Sequence, residues 1–143
     1  MDITIREIEE CDYPAVLALW NLLGNQALTE ENIGPYYAME KLDDNYRTFV
    51  AVLDGQVVGF IYTLRFMSVG PPVWFMNIHG LAVAPELRGK GIGSQLIKHV
   101  EQYAASRGVS CLALNTGFKR KRAHKFYERH GFEAGSYHYN KML

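Results

Sequence analysis

The chain has 143 residues, 48% of them apolar, with 18 aromatics and five prolines. That supports one domain, residues 1–143, with a full core, and excludes disorder, fibrous repeats and any membrane span, which needs about 20 consecutive apolar residues. The net charge of zero hides a split: residues 1–44 carry ten acids and two bases, residues 45–143 five acids and thirteen bases. The acidic start MDITIREIEE lacks the layout of a secretory leader, and two cysteines, Cys11 and Cys111, make no disulfide framework, so a reducing cytoplasm is the expected location.

Ile3, Ile5 and Ile8 predict a short first strand. Asp12 is placed to cap a helix that has Pro14 in its first turn, and Val16, Leu19, Trp20 and Leu23 then recur at helical spacing up to Gly24-Asn25. Gly34-Pro35 interrupts the next helical pattern, so residues 26–45 are expected to be mobile helical pieces. Residues 48–53 and 56–66 are β-rich and flank Asp54-Gly55, a strong hairpin signal. The second of them is apolar on both faces and should be central. Residues 73–83 read as a long strand after Pro71-Pro72, residues 89–107 as an amphipathic helix closed by Gly108, and 109–114 as a strand parallel to 73–83. A basic helix over 119–130, closed by Gly131, and two short strands near 132–133 and 136–142 complete an α/β fold. It is a mixed, mostly antiparallel sheet of about seven strands with helices on both faces. The last strand would be an edge, and its exposure suggests a homodimer across a two-fold axis.

The most informative stretch runs from Leu81 to Ser94. A strand ends, Pro85 turns the chain, and Gly89, Gly91 and Gly93 open a helix flanked by Arg88 and Lys90. Backbone without Cβ atoms approaches a ligand closely, and free N–H groups at a helix start favour an anion, so the turn suits a pyrophosphate. The spacing matches neither the nucleotide P-loop nor the dinucleotide fingerprint, since position 94 is Ser.

Leu81-x-Val83-x-Pro85-x-x-Arg88-Gly89-x-Gly91-Ile92-Gly93 resembles the acyl-coenzyme A signature of the GCN5-related N-acetyltransferase (GNAT) family, and Ala123 to Phe132, with Phe126-Tyr127-Glu128 at its centre, resembles that family's second signature. The resemblance covers nearly the whole chain. It implies acetyl transfer from acetyl-CoA to an amine by direct attack, with the pyrophosphate on the backbone of Gly89, Lys90, Gly91, Ile92, Gly93 and Ser94. The pantetheine arm would lie along Leu81, Ala82 and Val83, and Tyr127 falls on the family's general acid. A phenol suits a thiolate leaving group of similar basicity.

His79 is a candidate base, since a neutral imidazole accepts an ammonium proton near neutral pH; a satisfied strand histidine is the equal alternative. A period of two places Phe75, Asn77, His79, Leu81 and Val83 on one face, making Asn77 a candidate substrate contact. Asn115 ends a strand where it would contact the pantetheine arm or the acceptor, or merely turn the chain. Arg120 stands where many relatives carry Asn, and is a candidate for a coenzyme phosphate. The acceptor should enter beside residues 26–45, where Tyr36, Tyr37 and nearby acids would meet a cation. The histidines lack metal-ligand spacing, so no metal is expected. Two other readings remain. One is a non-catalytic acyl-CoA-binding module. The other, which the zero charge disfavours, is RNA binding through Lys119–Arg122. A small-molecule or protein amine is the expected partner, with no nucleic acid and no membrane.

Overall fold

Asp54 and Gly55, at φ 50° and 76°, join two strands, β2 (Tyr46–Leu53) and β3 (Gln56–Met67), and around this hairpin the sheet is built. A computed structural model describes residues 1–143. β1 (Thr4–Glu7) adds antiparallel to β2, β4 (Trp74–Val83) antiparallel to β3, and β5 (Cys111–Leu114) parallel to β4, giving the order β1-β2-β3-β4-β5. Helices α1 (Tyr13–Leu22) and α2 (Ile33–Glu40) cover one face and α3 (Ile92–Ser106) the other, with α4 (Lys121–Arg129) packed near the start of α3. β3 is central and apolar on both faces: Phe60 and Tyr62 join Val16, Trp20 and Tyr37 on one side, and Ile61 joins Leu96, Ile97 and Val100 on the other. No helix is long and apolar enough to cross a membrane.

Several expectations are corrected. The sheet has five strands, not seven. Residues 132–133 and 136–142 form no strand, and Tyr137, Tyr139 and Met142 are exposed. Alternation gives a segment strand propensity but does not supply a ladder partner. The edge on which two-fold pairing was to rest is therefore not formed. Asp12 does not cap α1. Its carboxylate accepts two bonds from Arg6 (2.7 and 3.0 Å) and one from the Glu9 N–H (2.8 Å), and those bonds hold its pKa below the usual range despite burial. α2 runs through Gly34-Pro35 without a break, because Pro35 falls in its first turn, where no intrahelical N–H is required. The turn before it is fixed by reciprocal bonds between Thr29 and Asn32. α3 begins at Ile92, later than expected, because Gly89 and Gly91 sit at φ 77° and 88°, outside helical geometry.

α1 lies close to the sheet at one place. A Cβ on Gly80 would come within 2.4 Å of the Trp20 ring, whose N–H donates to the Tyr37 hydroxyl at 3.1 Å. Gly80→Ala is expected to destabilise the fold by about 1–3 kcal/mol through overpacking. In urea denaturation, the Gly80→Ala Trp20→Phe double variant should lose less than the sum of the two single changes.

Glu40 ends α2 half-buried against Thr48, whose hydroxyl donates to it at 3.3 Å. Burial pushes its carboxyl up to about 7, with Thr48 and Arg47 pulling the other way. Between the ordinary glutamate value of about 4.3 and about 7, the folded chain keeps a proton that the unfolded chain has lost. Stability from this group is thus complete below that window and falls as pH rises through it. Glu40→Gln should therefore melt higher than the wild type at pH 8 and match it near pH 4; parallel melting curves across pH would refute the assignment.

Candidate active site

β4 and β5 are hydrogen-bonded partners only from Phe75–Cys111 to Ile78–Leu114. Beyond Ile78, β4 continues to Val83 with β3 as its sole neighbour, so the two parallel strands open into a wedge. A bulge marks where the opening starts. Tyr62 pairs with Gly80 and Thr63 with Ile78, which leaves His79 as the extra residue on β4.

The bulge reverses the alternation of side chains. Met76 and Ile78 face α3, and after it Leu81 and Val83 do so, while Ala82 joins the α1 face. The single face expected for Phe75, Asn77, His79, Leu81 and Val83 is thus broken at His79. Past the bulge, the Ala84 N–H donates to the Val58 carbonyl at 2.8 Å. Alternation along the strand then directs the N–H and C=O of Leu81 and Val83 away from β3, into the wedge. The Val83 carbonyl accepts a bond from the Arg88 side chain at 3.2 Å.

The wedge leads to the turn at 88–94. No acceptor within the chain takes the N–H of Gly89, Lys90, Gly91, Ile92, Gly93 or Ser94, and the first helical bond there runs from Gln95 to Gly91. Gly91, in the left-handed region, lets these donors gather at the start of a 15-residue helix. Gly93 has a separate reason to lack a side chain, since its Cβ would lie 3.0 Å from Phe126 of α4. The two helices are further joined through His130, which donates from Nδ1 to the Phe126 carbonyl (2.8 Å) and so presents Nε2 to the Ser94 hydroxyl (2.8 Å). The Ser94 side chain is thus engaged in packing, while its backbone N–H faces the turn.

At the start of the wedge lies a cavity of about 250 Å³ whose walls include Trp20, His79, Leu81, Asn115, Arg120 and Tyr127. Burial raises the Tyr127 pKa and the Arg120 charge pulls it partly back, so the phenol stays protonated at neutral pH. His79 leans on the Tyr62 ring, with centroids 5.4 Å apart, and desolvation lowers its pKa, so its ring is neutral at pH 7.

Five residues singled out in the sequence therefore meet in one cavity: Tyr127, His79, Leu81, Asn115 and Arg120. Two others do not. Asn77 precedes the bulge, is paired with Leu64 and Ala113 on both sides, and is absent from the cavity wall. Tyr36 is bonded to the Tyr62 hydroxyl at 2.7 Å in an aromatic cluster and also lies outside the cavity. Arg120 shares the cavity with Tyr127, and no residue of the 88–94 turn lines it. The acids of residues 1–44 do not line the cavity either: Asp12 holds Arg6, Glu7 pairs with Arg47, and Asp44 pairs with Arg47 and Arg107. Sequence reasoning missed the contribution of α1, whose end at Trp20, Leu23, Gly24 and Asn25 forms the opposite wall. The available signal was Gly80, a residue without a side chain in a strand of bulky ones, opposite a tryptophan.

The family model of the acetyltransferase (GNAT) family matches residues 4–132. An aminoalkylphosphonate N-acetyltransferase of Salmonella typhimurium strain LT2 is 35% identical over 107 residues, 75% of this chain and 70% of that protein. An aminoglycoside N(6')-acetyltransferase type 1 of the same organism is 30% identical over 95 residues, 63% of this chain and 64% of that one. Among solved structures, one described as a transcriptional regulator from Bacillus halodurans C-125 superposes with a TM-score of 0.89 at 26% identity, covering 99% of this chain and 100% of that one. A chain with this sheet, this glycine turn and a family match over nearly its whole length belongs to the acetyltransferase (GNAT) family, and it is an N-acetyltransferase.

Proposed function

We propose that the chain transfers an acetyl group from acetyl-CoA directly to a primary amine, with Tyr127 as general acid and His79 as base. The observation that carries the reading is the meeting of Tyr127 and His79 in one cavity at the start of a wedge that leads to the 88–94 turn. In this reading the free N–H groups of Gly89–Ser94 take the pyrophosphate of acetyl-CoA, with Arg88 and Lys90 adding positive charge. The outward N–H and C=O of Leu81 and the N–H of Val83 take the amide groups of the pantetheine arm, as a further strand would. Asn115, beyond the last paired residue of β5, borders the same path.

The chemistry then follows from the two titrating side chains. His79, neutral at physiological pH, removes the proton from the acceptor ammonium, directly or through one water. The amine nitrogen forms a bond to the acetyl carbonyl carbon and the carbon–sulfur bond breaks. The thiolate sulfur receives the phenolic proton of Tyr127, which burial keeps in place until the sulfur leaves, and the second proton shed by the nitrogen as the neutral amide forms restores the phenol. No enzyme nucleophile is needed, and Cys111, partly buried in β5 away from the cavity, is not used.

Two substitutions test the roles together. Tyr127→Phe should lower kcat by about 10²-fold or more while acetyl-CoA still binds. His79→Ala should remove the acidic limb of kcat/KM, which in the wild type lies below about pH 6.5 because desolvation lowers the His79 pKa. Coenzyme A release, followed with a thiol reagent across pH, reads both. An unchanged kcat in Tyr127→Phe would remove the general acid. Acetyl-CoA binding without turnover of any amine would favour the non-catalytic acyl-CoA-binding module.

A further inference from the structure

Arg120 is the only charged side chain on a cavity wall that otherwise consists of neutral and apolar groups. It makes no ion pair and no side-chain hydrogen bond within the chain. The other arginines near polar partners are committed: Arg6 to Asp12, Arg47 to Glu7 and Asp44, Arg107 to Asp44 and the Tyr103 hydroxyl, Arg65 to Asn45 and the Trp74 ring, and Arg88 to the Val83 carbonyl. A lone guanidinium beside the reacting groups repels cations and offers a planar fork to a carboxylate or phosphonate. No carboxylate lines the cavity, so a polycationic acceptor finds no counter-charge there.

We infer that the acceptor is a small amine that also carries an anionic group, phosphonate or carboxylate, and that Arg120 binds that group and sets the specificity. This rests on the N-acetyltransferase reading above. The placement fits the geometry. Arg120 precedes α4 and Tyr127 lies two helical turns later in that helix, so one element carries both the anion contact and the proton donor. The C-terminal end of α1 forms the facing wall. There Asn25 commits its side-chain carbonyl to the Ala27 N–H at 2.9 Å, which leaves its NH₂ as a donor rather than an acceptor on the wall. Arg120 and the Asn25 amide thus both favour an anion. The same positive charge disfavours the ammonium form of a bound amine, which assists proton removal before attack.

The test compares 2-aminoethylphosphonate, β-alanine, ethanolamine and an aminoglycoside as acceptors, with coenzyme A release as readout and acetyl-CoA affinity measured separately by calorimetry. The two anionic amines should exceed ethanolamine in kcat/KM by about tenfold or more, and their relative rates show whether phosphonate or carboxylate is preferred. Arg120→Ala should collapse that ratio through acceptor KM, Arg120→Lys should restore part of it, and acetyl-CoA affinity should hold in both. Preference for ethanolamine or the aminoglycoside overturns the inference while leaving the N-acetyltransferase reading intact. So does a ratio that survives Arg120→Ala, or a loss confined to acetyl-CoA affinity, which would assign Arg120 to a coenzyme phosphate. Failure of every amine to be acetylated removes both readings together.

Discussion

The structure depends on one constraint, the backbone hydrogen bonds that β4 cannot make. A buried strand with an open flank carries N–H and C=O groups that need partners. β4 has β5 beside it only as far as Ile78; beyond it the N–H and C=O of Leu81 and the N–H of Val83 have no strand beside them, and the Val83 carbonyl takes the Arg88 side chain. The bulge at His79 is what permits this. One extra residue re-aims the strand, turns Leu81 and Val83 toward α3, brings Gly80 against Trp20, and leaves the imidazole beside Tyr62 at the start of the opening. The glycine turn repeats the theme at the other end of the wedge, where six further N–H groups have no partner in the chain. A single ligand with amide groups along its length and phosphates at one end satisfies both sets.

Charge is distributed by the same geometry. Net zero does not mean electrostatic indifference. The acids of the first 44 residues do not line the cavity, and several are paired with Arg6 of β1, Arg47 of β2 and Arg107 just after α3. What remains near the site is positive: Arg88 and Lys90 at the turn, Arg120 in the cavity. The basic run 119–122 is accordingly not one patch. All four side chains are exposed, but only Arg120 lines the cavity; Lys119, Lys121 and Arg122 do not. Beside Tyr36 stands an aromatic cluster in which Tyr36 and Tyr62 are bonded to each other, with the Glu40 carboxyl close by.

Local signals were legible in the sequence. Asp54-Gly55 marked the hairpin, the glycines at 89 and 91 marked the turn, and Phe126-Tyr127 marked the last helix. In each case the residue type itself dictates the backbone or the packing. Pairing between distant segments was legible only in part: 109–114 does run parallel to 73–83 and the strand after Asp54-Gly55 is central, but two features were hidden. The residues 136–142 alternate like a strand yet find no ladder, and the bulge at His79 is a mismatch of one residue between β3 and β4 that neither strand displays alone. Strict alternation cannot be carried across a bulge, so Asn77 does not share a face with Leu81 and Val83. Arg120 was noticed because it departs from the residue many relatives carry, but its surroundings required α1 to be docked against β4.

The central claim is that the outward backbone of β4 and the 88–94 turn together hold acetyl-CoA. Residue-resolved amide hydrogen exchange, with and without acetyl-CoA, measures it at the atoms concerned. The account predicts that the amides of Leu81, Val83 and Gly89–Ser94 gain protection together, while those of the β2–β3 ladder stay as they were. Saturating acetyl-CoA that leaves these amides exchanging at their original rates, or that protects the 119–122 segment instead, would contradict it.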